Sequence, residues 1–116
     1  MLVPAGEYAI AVLQSAAGAT GDGTVVYPVH ISNGAYTLLT MQVKGITTAT
    51  ITWEARINGV DWVAVEATNL ASSATPATTA TADGIYRVVV AGLLEFRARI
   101  SSWTEGTITV TGVMTA

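Results

Sequence analysis

The residues that could carry out chemistry are few in this chain, and they form no familiar catalytic or metal-binding pattern. The only histidine is His30, and there is no cysteine. A thiolate nucleophile, a disulfide framework and a cysteine-based zinc site are therefore excluded. A histidine that binds metal or acts as a general base needs partners at suitable spacing, so we interpret His30 as a surface residue.

The carboxylates are scattered, about one in each predicted strand or turn. A glycosidase needs two facing carboxylates in a cleft, and the sequence neither places nor excludes such a pair. Asp22 between two glycines and Asp83 before Gly84 fit turn geometry better than a calcium loop, because no further acidic residues follow at ligand spacing. We therefore predict a protein that is not an enzyme and that has no metal site and no cofactor.

Three arginines are candidates for a protein interface. Arg97 and Arg99 share one face of a predicted strand, and Arg87 points outward on the strand that we predict to be its neighbour. Arginines among threonines can dock on an acidic partner surface, because arginine buries well and makes forked hydrogen bonds. The alternative is local pairing with Glu95 and Glu105.

The tryptophans divide into two groups. Trp53 and Trp62 fall on the predicted core face of a hairpin. Trp103 lies in a predicted turn at residues 101–106 that separates the last two strands. An exposed tryptophan in a turn could stack on a sugar or anchor a protein interface, so Trp103 is also a candidate contact residue.

The clearest local signal is the hairpin of residues 50–65. Asn58-Gly59 is the dipeptide that best accepts the two positive φ values of a type I′ turn. A two-residue turn there predicts that Ala55 faces Trp62 and that Arg56 faces Asp61. Large rings would then lie opposite alanines on the core side, while an ion pair and Glu54 would mark the solvent side.

The first predicted strand, residues 8–14, is apolar on both faces. A strand of that kind in a small sandwich is expected to meet another subunit or to lie under a long loop. The side chains on one of its faces, Tyr8, Ile10 and Val12, are therefore candidate interface residues.

Pro28 interrupts the next apolar segment, residues 24–31. Since proline cannot donate to a ladder, we predict an edge strand or a bulge here. The alternation would turn Val25, Tyr27, Val29 and Ile31 inward.

Further turn residues divide the rest of the chain. Gly45 is expected to end one strand, and Asp83-Gly84 predicts a second hairpin. Residues 67–82 form a low-complexity Ala/Thr/Ser segment with one short strand, and a short helical turn at residues 69–73 is the only helix that we expect.

Period-two segments separated by turns every ten residues or so are typical of a sandwich or barrel. The predicted fold is all-β: a single antiparallel β-sandwich, jelly-roll-like, with about eight strands. We predict one domain, residues 1–116, with an extended N-terminal segment at residues 1–23 that contains a flexible loop.

Composition bears on partners. Of the residues 51% are apolar and only 11% are charged, whereas soluble domains usually carry about a quarter charged residues. Such a surface must be covered by Thr, Ser and Ala or be buried against other subunits, and we favour the second. A net charge of -3 with five basic residues argues against nucleic acid, and no apolar run approaches the ~18 residues of a membrane span. The N-terminus lacks the positive region of a secretory signal.

The hairpin run from Thr50 to Trp62 is followed by Gly84-Ile85-Tyr86-Arg87-Val88, Phe96-Arg97-Ala98-Arg99-Ile100 and Gly106-Thr107-Ile108-Thr109-Val110. This succession resembles the small all-β structural proteins encoded among the virion genes of tailed bacteriophages, some of which decorate the capsid. The resemblance covers residues 36–113 and brings no catalytic motif.

The resemblance implies a capsid decoration protein, located on the capsid surface of the virion, that binds the shell and stabilises it. The implied partners are the major capsid protein and further copies of the chain, with a trimer favoured. The alternative is a tail or baseplate module that binds host glycan through Trp103 and neighbouring loops. A tail tube or connector subunit is a further alternative, closely related to a capsid decoration protein.

Overall fold

The computed structural model describes residues 8–30, 34–71 and 75–116, and within these ranges it contains strands and no helix. The strands are β1 (Tyr8–Ala17), β2 (Val29–His30), β3 (Gly34–Ala35), β4 (Leu38–Arg56), β5 (Val63–Ala64), β6 (Thr68–Asn69), β7 (Thr79–Ala80), β8 (Gly84–Val89) and β9 (Glu95–Thr115). Every strand pair is antiparallel. The prediction of an all-β antiparallel fold is confirmed.

Seven of these strands form one sheet. Its order is β1-β9-β4-β8-β6, with β5 and β7 also paired to β4, and β2 and β3 form a separate ribbon. The two longest strands, β4 with 19 residues and β9 with 21, pair along almost their whole length. They are the frame on which the other strands are placed.

Both long strands bend. A straight strand of 19 residues would be about 60 Å long, but the longest dimension of the molecule is 42 Å. The register between β4 and β9 shifts repeatedly between Lys44 and Ile51. Gly45 and Gly106 meet at this point with φ of 92° and 128°, and a Cβ on Gly106 would lie 2.5 Å from the carbonyl oxygen of Gly45. Glycine is required on both strands because the backbones approach too closely for any side chain.

The bend folds the sheet into two facing layers. Tyr86 pairs with Met41, twelve residues before Trp53, which would place the two rings about 40 Å apart along a straight strand. The centroids of the Trp53 and Tyr86 rings are nevertheless only 5.4 Å apart. We call β1, β6, β8 and the adjoining halves of β4 (residues 38–44) and β9 (residues 107–115) the first layer. The second layer consists of β5, β7 and residues 50–56 and 95–102.

The core lies between the two layers. Trp53, which the hairpin pattern placed in the core, is fully buried, and the indole N–H has no hydrogen-bond partner among the described residues. The other large, fully buried side chains include Leu13, Leu39, Met41, Ile51, Phe96, Ile100 and Ile108. This sandwich-like arrangement agrees with the predicted fold class, while jelly-roll connectivity stays a prediction.

Three predicted turns are wrong, because strands pass through the bend. Gly45 does not end a strand but bends β4, and residues 101–106 continue β9. Asp83-Gly84 makes no hairpin, since β7 and β8 both run antiparallel to β4 on either side of the bend. The Asp83 carboxylate instead accepts hydrogen bonds from the backbone N–H groups of Gly45 (3.1 Å) and Ile46 (2.8 Å).

The segment around Pro28 has the opposite orientation to the predicted one. Val26, which bridges to Phe96, and Pro28 are buried, whereas Tyr27 and Val29 are 55% and 37% exposed. Backbone pairing to β9 at Val26 sets this orientation. The strand in this segment, β2, is only two residues long and pairs with β3. Ile31, the other residue predicted to point inward, lies outside the described residues.

Some predictions fall wholly or partly outside the described ranges. Residues 1–7 of the N-terminal segment do so, as does the side chain of His30. The predicted helical turn at residues 69–73 is described only in its first part, where Asn69 ends strand β6.

Candidate functional surface: the two outer faces

The hairpin of β4 and β5 has a register one residue away from the predicted one. Ala55 lies opposite Val63, not Trp62, and Glu54 lies opposite Ala64. The loop is longer than two residues because the Asn58 side chain folds back on it: Oδ1 accepts hydrogen bonds from the backbone N–H groups of Val60 (2.9 Å) and Asp61 (3.0 Å). A shift of one residue moves a side chain to the other face of a sheet, so Trp62 leaves the predicted core face.

Trp62 lies between two arginines on the outer face of the second layer. The guanidinium carbons of Arg56 and Arg97 are 4.4 Å and 4.0 Å from the centre of a Trp62 ring. Both contacts are cation–π interactions. Arg56 forms an ion pair with Glu95, not with Asp61, and its guanidinium donates two hydrogen bonds to that carboxylate. The hydrogen bond from Arg56, supported by its charge, lowers the pKa of Glu95, and the same hydrogen bond raises the pKa of Arg56.

A second group of charges lies around Glu54, which was predicted on the solvent side but is buried. Its carboxylate is 2.9 Å from Nε of Arg97 and 3.4 Å from an amino group of Arg99. Asp22, from the loop after β1, approaches the same guanidinium groups at 3.5 Å and 3.7 Å. The arginines therefore pair locally, but with Glu54 and Asp22 and not with Glu95 and Glu105. We call Asp22, Glu54, Arg56, Trp62, Glu95, Arg97 and Arg99 the charged face.

Arg87 does not belong to this face. It lies on β8 opposite Thr40, in the first layer, and its Nε donates to the Thr40 hydroxyl at 3.2 Å. The predicted cluster of Arg87 with Arg97 and Arg99 is therefore wrong, because β8 and the first half of β9 flank different halves of β4. Arg87 is exposed and remains a candidate contact residue.

The outer face of the first layer is apolar. Tyr8, Ile10 and Val12 are 63%, 64% and 47% exposed on β1, and Ile85 and Val89 are 43% and 67% exposed on β8. Pairing places Val113 beside Ile10, and Leu38 beside Val89. These residues share one side of the sheet because they alternate with buried neighbours. We call Tyr8, Ile10, Val12, Leu38, Ile85, Val89 and Val113 the apolar face. Two charged side chains of the described residues lie on the same side of the sheet: Arg87, between Ile85 and Val89, and Lys44, at one end of this half of β4.

Sequence reasoning identified the β1 part of this face and missed the β8 part. Residues 85–90 read Ile-Tyr-Arg-Val-Val-Val, so this strand is also apolar on both sides except at Arg87. This apolar pattern is a signal for an exposed apolar strand, and Arg87 is its single interruption.

β1 is also an open edge. Within the described chain it pairs only with β9, and its ten residues contain no charge and no proline. On the opposite side the sheet ends in two-residue strands, β5, β6 and β7. Edge strands usually carry charges, prolines or strong bulges that prevent pairing with another chain. The regular part of β1, residues 8–12, has none of these protections.

Trp103 is not in a turn. It lies within β9 opposite Ala49, is half-buried against the core, and its indole N–H donates to the Gly106 carbonyl at 3.0 Å. The Trp103 side chain therefore stabilises the bend between the layers through its hydrogen bond to Gly106.

Two cavities lie at the end of the sandwich formed by the β4–β5 loop. One of about 350 Å³ is bordered by Arg56, Ile57 and Asp61, and another of about 470 Å³ by Tyr27, Ile57 and Glu95. Asn58 borders both. The described residues contain no cluster of metal-ligating side chains, and no helix there is long and apolar enough to cross a membrane.

Two solved structures have the same fold as this chain. The SPBc2 prophage-derived protein YomS is 19% identical, with 98% of this chain and 97% of that chain covered and a TM-score of 0.81. The PBSX exported protein XepA is 18% identical with a TM-score of 0.83. The match covers 97% of this chain but 39% of XepA, so this chain spans about two fifths of that protein. None of the curated proteins compared with the sequence matches it significantly.

The sequence also matches a family model, named XepA, over residues 8–114, which is nearly the whole chain. The predicted resemblance to small all-β phage proteins is thus supported in its coarse form, by family and by fold, whereas the assignment to capsid decoration proteins stays a prediction. By this match the chain belongs to the XepA family.

Proposed function

We propose that this chain is a phage-associated structural protein without enzymatic activity, and specifically a capsid decoration protein that binds the shell through its apolar face. The observation that carries the proposal is the apolar face itself, which is an exposed sheet surface with almost no charge.

The extent of this face supports a binding role. Its five most exposed side chains form two groups, on β1 and on β8, with β9 and β4 between them. Together they present on the order of 500 Å² of mostly apolar surface, within the roughly 300–600 Å² expected for the largest patch of a monomer. A stable interface buries about 800 Å² from each partner, with an apolar centre and a polar rim. The side chains on β1 and β8 could supply apolar contacts, and the threonines of β9 and β4 between them could supply polar ones.

Charge limits the nature of the partner. Arg87 lies within the apolar face and would be desolvated on docking, which is costly unless the partner supplies a carboxylate. A partner surface that is apolar with an acidic group opposite Arg87 would satisfy this requirement. The major capsid protein is the partner that we propose.

The open edge of β1 supports a second contact, between copies of the chain. A neighbouring copy could satisfy the free backbone groups of residues 8–12 by strand pairing. We propose a closed homo-oligomer, with a trimer favoured, and no role for nucleic acid, membrane or cofactor.

The comparisons support a phage association. One solved relative in fold is described as prophage-derived, and the family carries the name of a protein described as a PBSX exported protein. A virion location is the one that we propose, at the capsid surface.

The test uses empty shells assembled from the major capsid protein of the phage that encodes this chain. The variant Ile10→Lys places a charge in the apolar face, and Ile57→Lys is its matched control, because Ile57 is also 64% exposed but lies on the β4–β5 loop. We expect co-sedimentation of wild type and Ile57→Lys with shells, and loss of at least about tenfold in affinity for Ile10→Lys, since lysine would be buried without a partner.

Light scattering over a concentration series measures self-association in the same three proteins. A stable oligomer that dissociates only in Ile10→Lys would support the β1 contact. Shell binding that is the same in all three proteins, or absent in wild type, would overturn the decoration proposal.

The exported relative favours a second candidate, a phage-encoded protein that acts outside the particle. Immunodetection in purified particles and in the culture medium after lysis separates the two. Protein found only in the medium would support this candidate. For the glycan-binding alternative, a glycan array with wild type and Trp103→Ala is the test, although the indole N–H is already engaged by Gly106.

A further inference from the structure

The Asn58-Gly59 dipeptide lies in the exposed β4–β5 loop but does not form the two-residue turn for which it is suited. Gly59 has a positive φ of 74°, and Asn58 does not. The preference of Asn-Gly for a two-residue turn therefore does not explain the presence of this dipeptide in the loop. We propose that Asn58 is a site of spontaneous covalent modification, at which the folded loop converts the asparagine to aspartate or isoaspartate.

The reaction requires only water and the chain itself. The backbone nitrogen of Gly59 loses its proton and attacks Cγ of Asn58, so that an N–Cγ bond forms. The Cγ–Nδ2 bond then breaks, and Nδ2 leaves as ammonia after taking up a proton. The product is a five-membered succinimide, and addition of water to either of its carbonyl groups gives aspartate or isoaspartate.

The loop places hydrogen-bond donors where charge develops in this reaction. When Gly59 N attacks, negative charge accumulates on Oδ1 of Asn58. That oxygen already accepts hydrogen bonds from the backbone N–H groups of Val60 at 2.9 Å and Asp61 at 3.0 Å. Two fixed donors on a developing oxyanion are the arrangement that stabilises tetrahedral intermediates in acyl transfer.

Access to the attacking nitrogen is also open. Gly59 has no side chain to shield it, and a Cβ built there would meet no atom within 4 Å. The loop is exposed, so water can reach the succinimide.

Asn69 provides an internal comparison. Its Oδ1 accepts one hydrogen bond, from the backbone N–H of Ala71 at 3.0 Å, and it is followed by Leu70. A single donor and a branched following side chain both disfavour the reaction there.

Modification would change the surface at this end of the sandwich. A carboxylate at position 58 would adjoin Asp61, whose carboxylate is 3.5 Å from Nδ2 of Asn58, and it would border both cavities of the loop. The new charge would make this surface more acidic with time, and isoaspartate would add a backbone atom before Trp62.

The experiment is peptide mapping by mass spectrometry of the folded protein during incubation at mildly acidic and mildly alkaline pH. Isoaspartate is detected separately by enzymatic methyl labelling. We expect conversion at Asn58 to be at least about tenfold faster than at Asn69, and to accelerate with pH because the attacking nitrogen must lose a proton.

Two comparisons define the role of the fold. The variant Gly59→Ala, which shields the attacking nitrogen where the loop has room for a Cβ, should slow conversion, with Trp62 fluorescence reporting that the loop is intact. A synthetic peptide of residues 54–64 should convert no faster than the folded protein. Conversion at Asn58 as slow as at Asn69, or conversion in the peptide but not in the folded protein, would overturn the proposal.

Discussion

The outer faces of the two layers differ in whether their side chains find partners within the chain. Residues of β4 and β9 contribute to both, yet the second layer carries the charged face and the first layer the apolar face, most of which comes from β1 and β8. On the charged face, Glu54 lies within 2.9 Å of Arg97 and Arg56 pairs with Glu95. Its charges are satisfied within the chain. On the apolar face, side chains such as Ile10 and Val89 remain about two-thirds exposed.

This difference indicates where a partner gains most. An arginine that is already paired must lose its carboxylate partner before it can bind another. Arg97, whose side chain is 13% exposed, is therefore expected to contribute little to partner binding. Exposed apolar side chains gain free energy from burial without breaking any contact. Arg97 and Arg99 stay candidate contacts, but the contrast favours Tyr8, Ile10 and Val12.

The largest effect is expected at the bend that separates the two faces. In Gly106→Ala the new Cβ would lie 2.5 Å from the Gly45 carbonyl oxygen, at a φ of 128°. We expect a loss of about 3 kcal/mol or more in the free energy of unfolding, measured by urea denaturation. The matched control is Gly59→Ala, also at positive φ but with nothing within 4 Å, which should cost only about 1 kcal/mol. Equal losses would mean that φ alone requires glycine at the bend.

The second prediction tests whether the charged face depends on its buried carboxylate. Glu54→Gln leaves Arg97 largely buried without a full counter-charge, and we expect a loss of about 2 kcal/mol in the free energy of unfolding. Asp22→Asn removes a carboxylate that is 63% exposed from the same arginines, and it should cost no more than about 0.5 kcal/mol. The reverse order would show that the loop, and not β4, holds the arginines.

The third prediction concerns the ring between the arginines. Trp62→Ala removes two cation–π contacts, and we expect a loss of about 1–2 kcal/mol, again by urea denaturation. Trp62→Phe keeps an aromatic face and should retain most of the stability. If both variants were as stable as wild type, the contacts of Trp62 with the two arginines would not stabilise the register that brings Trp62 to this face.

The smallest effect is a pH dependence. Because the pKa of Glu95 is lowered in the folded state, its pairing with Arg56 stabilises the protein above the ordinary value of 4.5, and this contribution disappears as the pH falls through the lowered pKa. The urea midpoint should therefore fall on acidification, and less steeply in Glu95→Gln. Identical slopes in wild type and Glu95→Gln would contradict a stabilising pair.

Local pattern was a good guide wherever a strand had one buried side. The alternation around Trp53 placed its ring in the core, and the apolar character of residues 8–14 identified an unusual strand. It failed where backbone pairing outweighed local preference. Val26 is turned inward by its bridge to Phe96, and Asn58 uses its side chain to close a longer loop than Asn-Gly requires.

Side-chain alternation and composition are local properties, and they were enough to predict the all-β class, the antiparallel strands and the scarcity of catalytic groups. The continuation of β4 and β9 through Gly45 and Gly106, where both strands fold back on themselves, became apparent only in the folded chain. That outcome depends on contacts between residues far apart in the chain. The sequence does not distinguish a glycine that ends a strand from one that bends a strand. It also does not distinguish two hairpin registers that differ by one residue, although this difference moves Trp62 from one face of the sheet to the other.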